Sequence, residues 1–122
     1  MIDAVLDTNI LIDYLVGIEK AERTLANFTA PAISVISWIE VLAGARDAQD
    51  ERDLEGFLAR FERMEIDGPL ARRAARLRRA HRMKLPDAIV LATAEELAAP
   101  LISRDERAFA GTTNLLVVPY RL

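Results

Sequence analysis

Short apolar runs alternate with helical segments along the whole chain, and this alternation is the feature that most narrows the fold. Ala4-Val5-Leu6 stops at Asp7, and Ala32 to Ile36 is a β-branched run of the kind that fills a buried strand. Met64 to Ile66, Leu101-Ile102-Ser103 and Leu115 to Val118 read as three further strands. Between them the spacing predicts helices over 9–15, 19–28, 37–46, 50–63, 70–83 and 86–98. Thr29-Ala30-Pro31 breaks the second helix, Asp67-Gly68-Pro69 and Pro86 open the last two, and Pro100 ends the sixth. Strands alternating with helices give a short, mainly parallel sheet covered on both faces, a three-layer α/β/α domain. At 122 residues, with no internal repeat or low-complexity linker, the chain makes one domain, residues 1–122.

In such sheets the functional crevice lies beyond the carboxyl ends of the strands. Four carboxylates occur where that rule asks for chemistry. Asp7 follows the first strand, Glu40 lies one helical turn after the second, Asp87 begins the helix opened by Pro86, and Asp105 follows Leu101-Ile102-Ser103. Each has an ordinary structural explanation. Asp7 can cap a helix or make an Asx-turn. Glu40 can be the reciprocal half of a capping box with Ser37. Asp87 suits a positive helix N-terminus, and Asp105 can cap the turn at Glu106-Arg107. Gathered in one crevice, however, the four would repel one another unless a cation offset them.

The donors are all oxygen. The chain has no cysteine and one histidine, so it lacks a thiolate or imidazole ligand set for Zn²⁺. Hard Mg²⁺, or Mn²⁺, is the matching ion, and Mg²⁺ accepts phosphate as a co-ligand. A water acidified by such an ion can attack a phosphodiester.

Charge and composition bound the partners. Half the residues are apolar and 29% are charged, a globular balance. The net charge of −3 argues against a uniform electrostatic coat for nucleic acid. The charge is unevenly spread: Arg72, Arg73, Arg76, Arg78, Arg79, Arg82 and Lys84 crowd the stretch from Leu70 to Leu85, with His81 and no carboxylate. That stretch can grip phosphates, or be a solvated helix face with Leu70, Ala74, Leu77 and Ala80 buried behind it. No signal peptide precedes Asp7, and no apolar run approaches a membrane span. With the absence of cysteine, this sets the expectation of a cytoplasmic protein without a membrane partner.

The chain resembles the PIN-domain nucleases, and among them the VapC-type toxins of bacterial and archaeal toxin–antitoxin pairs. The segments that carry the resemblance are Val5-Leu6-Asp7-Thr8-Asn9-Ile10-Leu11-Ile12, Ser34 to Gly44 with Glu40, Leu85 to Ala94 with Asp87, and Leu101-Ile102-Ser103-Arg104-Asp105 with Phe109 beyond. The resemblance implies Asp7, Glu40 and Asp87 as the core acidic set and Asp105 as the fourth, both catalytic and metal-holding. It implies supporting roles for Thr8, Asn9 and Ser103, the last standing where threonine is more usual. It further implies Mg²⁺ or Mn²⁺, RNA hydrolysis leaving 5′-phosphate and 3′-hydroxyl ends, a homodimer, and inhibition by a small antitoxin.

Other residues have competing roles. Arg104, beside Asp105, is a candidate for a phosphate or an antitoxin carboxylate, because its fork matches both; Arg79 and Arg82 are further candidates. His81 is better read as an exposed helix residue than as a base. Trp38 and Tyr14 read as packing anchors rather than base-stacking platforms, and Ile10, Leu11, Tyr14 and Leu15 as part of a subunit interface. Two different functions compete with nuclease chemistry. A haloacid-dehalogenase-like phosphohydrolase would need a second aspartate two positions after Asp7, where Asn9 stands. A non-catalytic RNA-binding module would have no use for four retained acids.

Overall fold

Five short strands form one sheet in a computed structural model that describes residues 1–122. The strands are β1 (Ala4–Leu6), β2 (Pro31–Ser34), β3 (Glu62–Met64), β4 (Leu101–Ile102) and β5 (Leu116–Val117). All pair in parallel, in the order β3-β2-β1-β4-β5. The helices are α1 (Thr8–Leu15), α2 (Glu19–Ala26), α3 (Val35–Leu42), α4 (Ala48–Leu58), α5 (Gly68–His81), α6 (Leu85–Leu97) and α7 (Glu106–Phe109). The expected three-layer architecture is present.

Strands β1 and β4 are apolar at every position because both faces are covered. In β1, Ala4 and Leu6 face one core with Ile10, Leu11, Leu25, Ile33, Val41 and Leu58, from α1 to α4 and β2. Val5, between them, faces the other core with Leu70, Leu77, Leu91 and Phe109, from α5, α6 and α7. In β4, Leu101 and Ile102 divide the same way. Helix α6 is buried continuously from Ala88 to Ala94, as expected of a helix wedged between the sheet and α5.

Several boundaries differ from expectation. The second strand ends at Ser34, not Ile36, and Ser34 caps α3 by accepting from the Ile36 N–H at 3.1 Å. The third strand lies at Glu62–Met64 rather than 64–66, because α4 stops at Leu58. An added short helix, α7, is capped by Asp105 and pinned by the buried Phe109. In α5, Leu70, Ala74 and Leu77 are buried as expected, but Ala80 is exposed. Ile10 and Leu11 are fully buried in the core, so they are not subunit-interface residues; the exposed apolar side chains of α1 and its end are Ile12, Leu15 and Val16. Tyr14 and Trp38 are packing anchors: Tyr14 stacks on Phe57 at 5.2 Å, and the Arg63 guanidinium sits 4.9 Å over the Trp38 ring.

Candidate active site

The strand order reverses direction between β1 and β4, which is where an open parallel sheet leaves a crevice at its carboxyl edge. Asp7 leaves β1 at that point and Ser103 leaves β4. Asp7 turns the chain into α1 with extended backbone, and its Oδ1 accepts the Thr8 N–H at 2.8 Å. Its Oδ2 accepts from Ser103 Oγ at 2.7 Å and Asn9 Nδ2 at 3.3 Å. Asn9 Nδ2 also donates to Ser103 Oγ at 3.0 Å, and Asn9 Oδ1 accepts the Arg104 N–H at 3.1 Å. The Asp105 N–H donates to Ser103 Oγ at 3.0 Å. Asn9 and Ser103 therefore tie the ends of β1 and β4 into one bonded unit around the Asp7 carboxylate.

Glu40 reaches the unit from α3. It is not half of a capping box: Ser34 caps α3, and Ser37 is fully buried one turn in. Thr8 Oγ1 lies 2.7 Å from Glu40 Oε1 and 2.9 Å from Ser37 Oγ. Its single proton goes to the better acceptor, the carboxylate. Asp87 comes from the first turn of α6, whose N-cap residue Lys84 supplies no side-chain cap. Asp105 does cap α7, accepting the Ala108 N–H at 3.1 Å. Asp7 and Asp105 thus each make a helix cap, as the structural reading of the sequence expects.

The charge of Asp87 acts against those of the other three acids, and Asp7 also meets the charge of Glu40. Burial pushes the Asp7 carboxyl above the ordinary carboxylate range. Hydrogen bonds from Ser103 and Thr8 oppose the rise, and the charges of Asp87 and Glu40 add to it. Burial likewise raises Asp87, and then the charges of Asp105 and Glu40, against a lowering by Lys84. None of the chain's ion pairs involves Asp7, Glu40, Asp87 or Asp105.

No three of these side chains close tightly enough to cage an ion by themselves. Mg²⁺ does not need a cage, since it keeps several waters and takes one or two carboxylates. The oxygen-only donors, and a repulsion that no ion pair offsets, fit such an ion.

A cleft of about 430 Å³ opens beside the acids, with Asp87 and Asp105 in its lining together with His81, Arg82, Lys84 and Arg107. His81 is exposed at the end of α5, as expected. Of the arginines singled out from sequence, Arg82 lines this cleft; Arg79 instead lines an apolar groove between α5 and the start of α6. Arg104 does not point to solvent for a phosphate. Its Nε and Nη2 donate to the two Asp13 oxygens at 2.6 and 3.0 Å. Tyr120 Oη also donates to Asp13, at 2.8 Å. Asp13 and Tyr120 were not anticipated from sequence. The available signal was a lone acid in an apolar helix, four residues after Asn9 and so on the same face.

The PIN-domain family model matches residues 4–114. A chain of a toxin–antitoxin complex from Klebsiella pneumoniae is 39% identical over 98% of this chain and 100% of that one, with a TM-score of 0.92. Likeness of fold extends further. A chain of FitAcB from Neisseria gonorrhoeae is 20% identical, covers 98% and 99% of the two chains and has a TM-score of 0.79. A chain of VapBC2 from Rickettsia felis, bound to a DNA fragment from its promoter, is 23% identical, covers 96% and 98%, and has a TM-score of 0.81. No curated protein matches. The family match over residues 4–114 removes the haloacid-dehalogenase-like alternative, and the chain belongs to the PIN-domain family of nucleases.

Proposed function

We propose that this chain is a Mg²⁺- or Mn²⁺-dependent endoribonuclease, the toxin of a type II toxin–antitoxin module, acting in the cytoplasm. The observation that carries the reading is the set of four acids around the β1–β4 switch point, in which Asp87 repels the other three and none is in an ion pair with a protein cation. Asp7 and Asp87 would hold the ion, with Glu40 and Asp105 completing its surroundings. A bound divalent ion supplies an activated water and neutralises charge on the scissile phosphate.

The chain's own residues do the rest. Ser103 and Asn9 keep the Asp7 carboxylate oriented by bonding Oδ2. Thr8 holds Glu40 toward the same crevice. Arg82, Lys84 and Arg107 line the adjoining cleft and attract the phosphates flanking the reacting one. No histidine is required.

An antitoxin partner and a homodimer complete the proposal. Ile12, Leu15 and Val16 on α1 and at its end, with Ile39 on α3 next to Glu40 in sequence, leave apolar side chains exposed on the helices that follow β1 and β2, which suits an inhibitor that packs on them. The groove between α5 and α6, with Ile66 and Leu85 exposed in its lining, suits contact with a second subunit.

The direct test is cleavage of labelled structured RNAs by antitoxin-free protein in Mg²⁺, Mn²⁺ and EDTA. Cutting that needs the metal and disappears in EDTA supports the reading. No cutting of several RNAs by folded protein favours a non-catalytic binding module.

Arg82 adds a smaller test. It closes α5 in the left-handed region, at φ 54°, a conformation that costs a non-glycine residue energy. Arg82→Gly is expected to raise unfolding stability by ~0.5–1 kcal/mol in urea. The same change is expected to weaken RNA binding and reduce its salt slope by about one. Unchanged affinity would remove Arg82 from the RNA path.

A further inference from the structure

We propose that Asp13, Arg104 and Tyr120 form a positioning strut that fixes the β4–α7 turn, and with it Ser103 and Asp105, against Asp7. The proposal rests on the nuclease reading for its consequence but on bonding geometry for its existence. Arg104 is the middle residue of the turn, between Ser103 and Asp105. Helix α1 grips it twice from positions four apart on one face. Asn9 Oδ1 takes its backbone N–H, and Asp13 takes two arms of its guanidinium. Asp13 is only 6% exposed, deep for a charged group with no structural cap to make. Burial acts to raise its pKa, but the bonds from Arg104 and Tyr120 outweigh it and hold the carboxyl below its usual value.

Tyr120 locks the strut from the far end of the chain. Its hydroxyl donates to the same Asp13 oxygen as Arg104 Nε, and burial, with the Asp13 bond, pushes its own pKa up to about 12. The tail is held on both sides: Lys20 Nζ donates to the Arg121 carbonyl at 3.0 Å, and Arg121 pairs with Glu106, next to Asp105. The C-terminal strand and tail are thereby tied to the acid that β4 delivers.

The fork-to-fork geometry explains the choice of residues. A bidentate arginine–carboxylate pair fixes direction as well as distance, which a lysine ammonium does not. Arg104 therefore belongs to the group that supports the acids and not to the group that meets substrate. Misplacing an acid by a fraction of an ångström weakens both metal binding and alignment.

Tyr120→Phe, Asp13→Asn and Arg104→Lys in the full chain test the strut by hydrogen exchange, Mn²⁺ titration calorimetry and RNA cleavage. Tyr120→Phe keeps the ring and removes one bond, so it tests the strut even if Asp13→Asn fails to fold. We expect faster exchange at the Arg104 and Asp105 amides with β1 and α6 unchanged. Mn²⁺ affinity and kcat should fall about tenfold in Tyr120→Phe and up to about a hundredfold in the other two. KM for RNA should stay within about twofold, since no substrate contact is lost. Arg104→Lys should not rescue. Exchange and Mn²⁺ affinity unchanged in Tyr120→Phe overturn the strut. So does an Arg104→Lys variant with raised KM and normal kcat, which would return Arg104 to the substrate. A parent chain that neither binds Mn²⁺ nor cuts RNA defeats the nuclease reading, while the exchange comparison still decides whether the strut exists.

Discussion

Asp87→Asn is expected to cleave no RNA and to melt at a higher temperature than the parent chain. Both results come from one property of the side chain. Asp87 receives no hydrogen bond from the chain, and burial together with the charges of Asp105 and Glu40 raises its pKa. An acid whose folded pKa lies above its unfolded value of 3.8 is a liability at neutral pH. Its stabilising contribution is complete only below 3.8 and is lost as pH rises through the raised folded value. Asparagine removes the charge, keeps the shape and orphans no protein donor, because none bonds Asp87. Asp87 is partly exposed, so solvent screening keeps the gain small, a rise in Tm of ~1–4 °C. The activity loss is large. Charge stabilisation by a divalent ion is worth several kcal/mol, so losing one of its carboxylates should lower kcat by roughly a thousandfold or more. Calorimetry and single-turnover cleavage check the two halves. A dead variant that is also unfolded would say nothing about chemistry, which is why a raised Tm matters. An active Asp87→Asn would remove Asp87 from the site. Asp7→Asn should lose activity equally, without a clean stability gain. Both Asp7 oxygens already accept bonds, and an amide cannot accept on both sides.

The layers and the acids were legible because they rest on patterns with fixed periods. Continuous apolar runs mark strands buried on both faces, and Val5 between Ala4 and Leu6 shows why no alternation survives. Asp7, Asp87 and Asp105 stand at strand ends or a helix start, positions visible in one dimension. What was hidden depends on pairing across many residues. The capping-box spacing of Ser37 and Glu40 gave the wrong helix start. Ser34 offers the same chemistry three residues earlier, and Ser37 was needed inside, near Thr8. Arg104 looked free because its partners, Asp13 and Tyr120, lie 91 residues before and 16 after it (104 − 13; 120 − 104). Ile10 and Leu11 looked like an interface stripe because a buried helix face and a dimer face have the same period. Local rules therefore placed the acids and missed the bonds that aim them.

Millimolar Mn²⁺ should stabilise the parent chain strongly at neutral pH and lose that effect as the pH falls through the raised values of Asp7 and Asp87, above the ordinary 3.8. A ligand at a hundred times its Kd adds about 2.7 kcal/mol when it binds only the folded state. For a domain of this size that is a rise in Tm of about 10 °C. The ion requires charged carboxylates, and burial has made the charged forms of Asp7 and Asp87 unfavourable. Protons therefore compete with Mn²⁺ at higher pH than they would at ordinary carboxylates. The metal-free protein responds in the opposite direction over that window, because protonating Asp7 and Asp87 in the fold relieves their burial and repulsion. Asp13 is the counterweight. Its folded pKa is depressed, so its contribution is present above 3.8 and is lost only as pH falls through the depressed value. Two separate transitions are thus expected in a pH series of melting curves: loss of the Mn²⁺ increment above 3.8, and below it loss of the Asp13–Arg104 contribution together with those of Asp3 and Asp50, which are depressed as well. Asp87→Asn should abolish or greatly reduce the first and keep the second. A Mn²⁺ increment of equal size in that variant would place the ion elsewhere on the chain, and no increment at any pH would leave the four acids without the cation that their repulsion calls for.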